Sequence, residues 1–452
     1  MTTATDHSVD MNHPTYYHPY PTYKASGVEW LGEVPEGWEL RPIFAMYQRR
    51  IERDHPDEQL LSVYREYGVV PREGREDNYN RPSEDLSSYQ LVKPRDLAIN
   101  KMKTWQGSVA ISEYQGIVSP AYIICRPTHT EHDRFLHYLL RSPRYIVRYG
   151  QLSYGVRVGQ WDMRFEDFRR IEALIPPLPE QRAIAAFLDH KTAEIDALIA
   201  AKERLIALLR EKRAALITSA VTKGLDPDVP MKDSGIEWLG EVPEGWEVKP
   251  LGRLGALSKG NGSSKQDEAD AGVPCVRYGD LYTTHNYFIG STRAYIDPER
   301  AIDYTPIRFG DVLFAASGET VEEIGKSAVN LMTSRAYCGG DIILFRPKQE
   351  MDARYLGYAS DSRPSVAQKA SMGRGYTVIH IYGSQLKNLI LPLPPLPEQH
   401  AIAGFLDRRT AGIDALVGKV EEAIDRLKEY RTALISAAVT GKIDVREEAA
   451  KK

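Results

Sequence analysis

The stretch at residues 175–225 limits what this chain can fold into more than any other. It opens Ile175-Pro176-Pro177-Leu178-Pro179-Glu180-Gln181, and from Glu180 to Val221 it holds neither proline nor glycine. Start and stop signals of this kind predict one uninterrupted helix. At ~1.5 Å per residue it reaches about 60 Å, several times an ordinary globular helix. The pattern returns at 393–443, opening Leu393-Pro394-Pro395-Leu396-Pro397-Glu398-Gln399. Pro394 follows Pro176 by 218 residues, and that offset holds without a gap as far as Thr222 and Thr440.

Both stretches carry a heptad pattern. In the first, Leu188, Ile195, Lys202, Leu209 and Leu216 hold one seam position and Ile184, Lys191, Leu198, Leu205 and Lys212 the other. In the second, the matching sets are Leu406, Ile413, Val420, Leu427, Leu434 and Ile402, Arg409, Leu416, Ala423, Tyr430. Five turns of such spacing predict a coiled coil. A further apolar stripe, Ile199 and Ile206 in one helix and Val417 and Ile424 in the other, lies beside this seam. A two-stranded coil needs only one narrow seam, so these four residues are candidates for binding a partner subunit. Packing against the chain's own globular parts is the alternative, and periodicity leaves both open.

A second repeat precedes each helix. Ser26-Gly27-Val28-Glu29-Trp30-Leu31-Gly32-Glu33-Val34-Pro35-Glu36-Gly37-Trp38-Glu39 recurs 208 residues later, from Ser234 to Glu247. Two tryptophans around a Gly/Pro turn predict a packing clamp at a domain entrance rather than a ligand site. The chain is therefore a tandem repeat of entrance, middle and long helix, with a second middle ten residues longer than the first. The middles echo only faintly, as in Ile124-Cys125-Arg126-Pro127 against Leu344-Phe345-Arg346-Pro347, and Asp133-Arg134-Phe135-Leu136 against Ala353-Arg354-Tyr355-Leu356. Short β-like runs and few helices in each predict two α+β domains. A shared frame with different contents is what two related binding domains with different targets require.

Residues 1–24 read as a flexible arm. Their dispersed His7, His13 and His18 read as solvated rather than metal-binding, and the segment lacks the apolar core of a signal peptide. No apolar run approaches membrane-spanning length. Three scattered cysteines, Cys125, Cys275 and Cys338, form neither a zinc pair nor a disulfide framework. A cytoplasmic protein is the expectation. Net charge is −4, but residues 40–174 hold 21 Lys+Arg against 18 Asp+Glu and residues 248–392 hold 17 against 15. The globular parts are thus mildly basic and the remainder acidic, which permits nucleic-acid binding without requiring it.

Catalytic patterns are sought without success. Gly325-Lys326-Ser327 lacks the upstream glycine of a phosphate loop, since Thr320 stands there. No Asn-Pro-Pro-aromatic or Asp-Pro-Pro-aromatic tetrapeptide exists for base methylation, and no nucleophile or carboxylate constellation stands out, so neither catalytic nor metal residues are expected. What remains are loops mixing cations, amides and aromatics. In the first middle these are 100–108, with Lys101, Lys103, Trp105 and Gln106, and 154–161, with Arg157, Gln160 and Trp161. In the second they are 317–320 with Ser317 and Thr320, Lys326, and 374–377 with Arg374 and Tyr376. Arg and Gln can read base edges while Lys and Ser hold phosphates; the alternative is an ordinary solvated loop.

These motifs resemble one family, the specificity subunits of type I restriction–modification systems. The resemblance rests on the doubled Pro-Pro-Leu-Pro-Glu-Gln starts, the following Ala183–Asp189 and Ala401–Asp407 segments, the Ile195–Leu198 and Ile413–Leu416 segments and the twin entrances; 116–122 and 310–314 add to it. It implies an α+β chain of two globular target recognition domains separated by two long antiparallel coiled-coil helices, with an internal pseudo-twofold repeat. The segments are then an arm at 1–24, recognition domains with their entrances at 25–174 and 226–392, spacer helices at 175–225 and 393–443, and a tail at 444–452. Each domain would read one half of a split, asymmetric site in double-stranded DNA, with the helices as a ruler for the unread spacer. The chain itself would bind no cofactor. Two modification subunits carrying S-adenosylmethionine and methylating adenine would dock on it, and two restriction subunits using ATP and Mg can join them. The rival readings are a specificity subunit of a related system that cuts on both sides of its site, a methyltransferase or endonuclease in its own right, and a coiled-coil scaffold displaying two domains that do not bind DNA.

Overall fold

The computed structural model describes residues 17–65, 67–73, 82–155, 161–262, 268–269 and 271–450. Both predicted long helices are present as single helices, Leu178–Lys223 and Leu396–Val439. The chain forms two compact units, Met1–Lys202 with Glu422–Lys452, and Glu203–Glu421. Each unit therefore holds one globular portion, the start of the long helix that follows it and the end of the other long helix.

In the first unit a four-stranded antiparallel sheet runs Tyr47–Arg50, Tyr122–Pro127, Leu97–Asn100, Val109–Ile111. Helices Asp133–Leu140 and Pro143–Leu152 cover it, with Phe135, Leu136, Tyr145 and Tyr149 fully buried. In the second unit the sheet has five strands, Gly255–Lys259, Ile342–Pro347, Val312–Ala315, Ser327–Asn330 and Tyr287–Ile289, the last pair parallel. Helices Ala353–Ser360 and Arg363–Met372 take the matching places, and a second five-stranded sheet is added around Val273–Val276 and Ala336–Cys338.

The repeated motifs tie each globular portion to its helices. Strand Glu39–Pro42 pairs with Glu172–Ile175, and Glu247–Pro250 with Ile390–Leu393, so each portion begins and ends side by side and feeds directly into a long helix. The buried Trp38 indole donates to Glu180 Oε1 at 2.8 Å, and Trp246 to Glu398 Oε2 at 3.0 Å. The neighbouring glutamine works in both directions. Gln181 Oε1 accepts from His132 N at 2.9 Å and its amide donates to Pro176 O; Gln399 repeats this with Asp352 N and Pro394 O. The Pro-Glu-Gln signature is thus a joint in which a helix start satisfies buried donors of the domain before it. The partner helix supplies the other side. Gly441 (φ +67°) lies so close to Pro35 that a Cβ would stand 2.5 Å from its ring and 3.3 Å from Trp38, and at Gly224 (φ +77°) a Cβ would stand 3.1 Å from Glu398 Oε1 and 3.3 Å from Trp246. Only glycine fits a left-handed helix end pressed on an indole.

Three expectations are corrected. Residues 17–24 are not a loose arm: Tyr20 is buried and donates to Glu180, and Tyr23–Ala25 pairs with Glu33–Pro35; residues 1–16, with His7 and His13, lie outside the described residues. The tryptophan clamp is complete only in the first copy, where Trp30 stands edge-on to Tyr145 at 5.0 Å, whereas Trp238 is half exposed. The third concerns the seam. Ile206 and Ile424 are 8% and 6% exposed, while Leu198, Leu205, Leu416 and Tyr430 are 40–46% exposed. The second seam column is therefore Thr192, Ile199, Ile206, Arg213, Ala220 and its repeat Thr410, Val417, Ile424, Arg431, Ala438, and the four residues proposed as a partner face belong to it. Polar members hid this column. Thr192 and Thr410 return their hydroxyls to Leu188 O and Leu406 O, while Arg213 and Arg431 pair with Asp414 and Asp196, each at 2.9 Å. Within the second unit Arg210 also pairs with Glu421 at 3.0 Å, so the two helices run antiparallel there.

Candidate nucleic-acid interface

In each unit the middle strand of the main sheet and the second covering helix end at a loop, and these are the loops singled out by composition. After Leu97–Asn100 the chain turns through Lys101–Lys103 into the short helix Thr104–Gln106. After Pro143–Leu152 it leaves through a loop pinched shut by two backbone bonds, Tyr154 N to Asp162 O at 3.0 Å and Asp162 N to Tyr154 O at 2.7 Å. Met163 N then donates to Lys101 O at 3.0 Å, joining the two loops at their bases. Trp105 packs against Trp161 with ring centroids 5.2 Å apart. Lys103 is exposed, Lys101 and Gln106 are half buried, and the Trp105 indole donates to Met102 O. Arg157 and Gln160 lie outside the described residues.

The second unit repeats the device with different side chains. The loop after Arg363–Met372 is pinched by Arg374 N to His380 O at 3.0 Å and His380 N to Arg374 O at 2.7 Å. Ile381 N donates to Ala316 O at 3.0 Å, in the place of the Met163–Lys101 bond. Ser317–Gly318 pairs with Ile379–His380, and Ser317 Oγ lies 3.0 Å from His380 Nδ1. Thr320, Arg374 and Tyr376 are exposed, Tyr376 fully.

Lys326 stands apart from the rest. Its ammonium is 3.1 Å from Asp361 Oδ2, and the fully buried Lys369 contacts Asp361 Oδ1 at 2.8 Å, Ser360 O at 3.0 Å and Ser327 Oγ at 3.2 Å. Burial opposes the charge on Asp361, yet Lys369 and Lys326 hold its carboxyl below the usual carboxylate range. Burial pushes the Lys369 ammonium below the usual lysine range, with Asp361 working against that shift. Lys326 is thus engaged in anchoring its own loop.

The loops singled out by composition also hold Tyr154 and the exposed Met102, and beside them lie three residues that composition did not single out: Arg164, whose guanidinium lies 5.4 Å above the Tyr154 ring, and the exposed Val378 and Tyr382. The available signal was position: all three lie in or beside the paired loops. Exposed rings, cations and amides gathered on two tied loops suit stacking, phosphate contact and base-edge hydrogen bonds. Among the described residues no group of three His, Cys, Asp or Glu side chains is placed to hold a metal ion, and no helix is long and apolar enough to cross a membrane.

Known proteins share this architecture. A model of the type I restriction modification DNA specificity domain matches residues 243–426. The type I restriction enzyme MjaVIII specificity subunit of Methanocaldococcus jannaschii is 23% identical over 437 residues, spanning 91% of this chain and 94% of that protein. The StySPI specificity subunit of Salmonella potsdam is 21% identical over 434 residues, spanning 91% and 90%. Among solved structures, a chain from work on complex assembly and conformational transition of the type I R-M system superposes with a TM-score of 0.68 at 16% identity, over 91% of this chain and 99% of its own length. The HsdS subunit from Thermoanaerobacter tengcongensis does so with a TM-score of 0.50 at 17% identity, over 91% and 98%. These superpositions show a common fold.

Proposed function

We propose that this chain, which belongs to the family of type I restriction–modification specificity subunits, is the non-catalytic part that chooses the DNA sequence for its complex. Each globular portion is a target recognition domain reading one half of a bipartite, asymmetric site. The long helices set the length of the unread spacer and dock two modification subunits, which bring S-adenosylmethionine and methylate adenine. Two restriction subunits with ATP and Mg can join, and the assembly works in the cytoplasm. One observation carries the reading: both domains tie the same two loops together by the same backbone bonds, Met163 to Lys101 and Ile381 to Ala316, yet fill them with different side chains. A constant frame with variable contents is what two readers of different sequences need.

The seam assignment moves the expected docking face. Ile199, Ile206, Val417 and Ile424 serve the seam, so the surfaces offered to modification subunits are the exposed Leu198 and Tyr430 of the first unit and the exposed Leu205 and Leu416 of the second. Half-exposed apolar side chains on long helices fit a partner's helices.

The test is a methylome. The chain is expressed with its modification subunit in a host lacking adenine methylation, and modified adenines are located by sequencing. A split motif with one modified adenine on each strand supports the reading. A stable complex that adds no motif would favour the scaffold alternative.

A further inference from the structure

The middles of the two repeats have diverged, yet one polar network stands at matching places in both. In the first unit, Arg134 and Tyr138 reach from Asp133–Leu140 to the long helix. Arg134 Nε lies 2.7 Å from Asp189 Oδ1, the Tyr138 hydroxyl donates to the same oxygen at 2.7 Å, and it lies 3.4 Å from Thr192 Oγ1. In the second unit Arg354 Nη1 lies 3.1 Å from Asp407 Oδ2, the Tyr358 hydroxyl donates to Asp407 Oδ1 at 2.9 Å, and it lies 3.2 Å from Thr410 Oγ1. Each aspartate and threonine belongs to a repeated helix segment, and each arginine and tyrosine to the faint Arg-x-x-x-Tyr echo of the middles.

The second unit adds a sign of strain. Tyr287 is one of three non-glycine residues with positive φ among the described residues, at +62°, where a side chain is tolerated only when its surroundings hold it. Its ring packs on Tyr358 at 5.3 Å and lies under Arg213 at 5.2 Å, while Phe288 stands edge-on to Tyr358 at 4.9 Å under Arg354. Together they line an open cleft of about 700 Å³ between the globular portion and the helix pair of this unit.

Stability alone explains this network poorly. The Arg134–Asp189 and Arg354–Asp407 pairs are a third to a half exposed, and ion pairs so placed contribute little to stability. What directional bonds supply is orientation, because an apolar contact allows sliding and rotation that a tyrosine hydroxyl donating to a carboxylate does not. The demand for orientation is high. A domain of this size has a far surface about 30 Å from its seat, so a turn of roughly 10° moves that surface by about 5 Å, more than the ~3.4 Å between base pairs.

Resting on the function proposed above, we propose that Tyr138, Asp189 and Thr192, and equally Tyr358, Asp407 and Thr410, are positioning residues that fix the angle of each recognition domain on its helices and so restrict the complex to one spacer length. Loosening either set widens the range of spacers accepted and leaves both half-site sequences unchanged.

The experiment compares methylomes of the complete chain and its modification subunit for wild type, Tyr358→Phe, Asp407→Asn and Tyr138→Phe. Tyr358→Phe removes one oxygen and keeps the ring, so it reports even where Asp407→Asn fails to fold. The expected result is a roughly tenfold rise in methylation at sites whose spacer is one base pair longer or shorter, the scale of one charge-assisted hydrogen bond, with the half-sites intact. An unchanged single spacer in a complex that assembles normally overturns the proposal and leaves the network a mere brace; an altered half-site overturns it as well. A wild-type complex without any split motif refutes the specificity function itself, and this proposal falls with it.

Discussion

Adjacent residues on the first long helix separate the two possible seams. Ile206 is 8% exposed and Leu205 41% exposed. Replacing a buried isoleucine by alanine removes its transfer energy and leaves a cavity, a cost of about 2–5 kcal/mol. Ile206 keeps a sliver of exposure, so the lower half of that range applies. Leu205 already faces solvent and alanine is the better helix former, so Leu205→Ala costs no more than about 0.5 kcal/mol. For units of about 200 residues, each kcal/mol moves the melting temperature by roughly 2–4 °C. Ile206→Ala should therefore lower melting by about 4–14 °C and Leu205→Ala by no more than about 2 °C. Differential scanning calorimetry under one protocol reads the difference, with far-UV circular dichroism confirming equal helix content at room temperature. A Leu205→Ala loss equal to or above that of Ile206→Ala would refute the seam of Thr192, Ile199, Ile206, Arg213 and Ala220.

Three further outcomes follow from the same contacts. Leu198→Glu with Leu416→Glu should abolish co-purification with the modification subunit while leaving melting nearly unchanged, whereas Ile199→Glu with Val417→Glu should lower melting first; the reverse order would return the partner face to the buried column. Trp38→Phe removes the bond to Glu180 and should cost about 1.5–3 kcal/mol, as for other hydrogen bonds to a charged group, read by urea unfolding; a change within error would deny the joint its role. Seven residues inserted within 204–213, and the same within 422–431, lengthen each helix by about 10 Å and should lengthen the spacer by about three base pairs. A changed half-site in that methylome would end the ruler account.

The long helices and the tandem repeat were legible because they rest on local signals: missing proline and glycine, and motifs recurring at fixed offsets. The seam was legible by half. Its first column is apolar throughout apart from Lys202, but its second contains Thr192, Arg213, Thr410 and Arg431, whose polarity is cancelled by partners elsewhere in the chain. A search for apolar spacing therefore settled on Leu198 and Leu205, which face outward. The segment at 17–24 was misread for a similar reason: its tyrosines bury rings against the core and reach Glu180 and Gly441 far along the chain. The candidate loops were recognisable by composition, but their pairing was not. The bonds from Met163 to Lys101 and from Ile381 to Ala316 span about sixty residues, and no local pattern encodes contacts of that range.

The measurement closest to the central claim exchanges residues 40–174 for the matching segment of another specificity subunit and compares methylomes before and after. The account predicts that one half-site is replaced, while the other half-site and the spacer persist. Replacement of both halves, or of neither in a complex that still methylates, would contradict the claim that each domain reads its own half of the DNA.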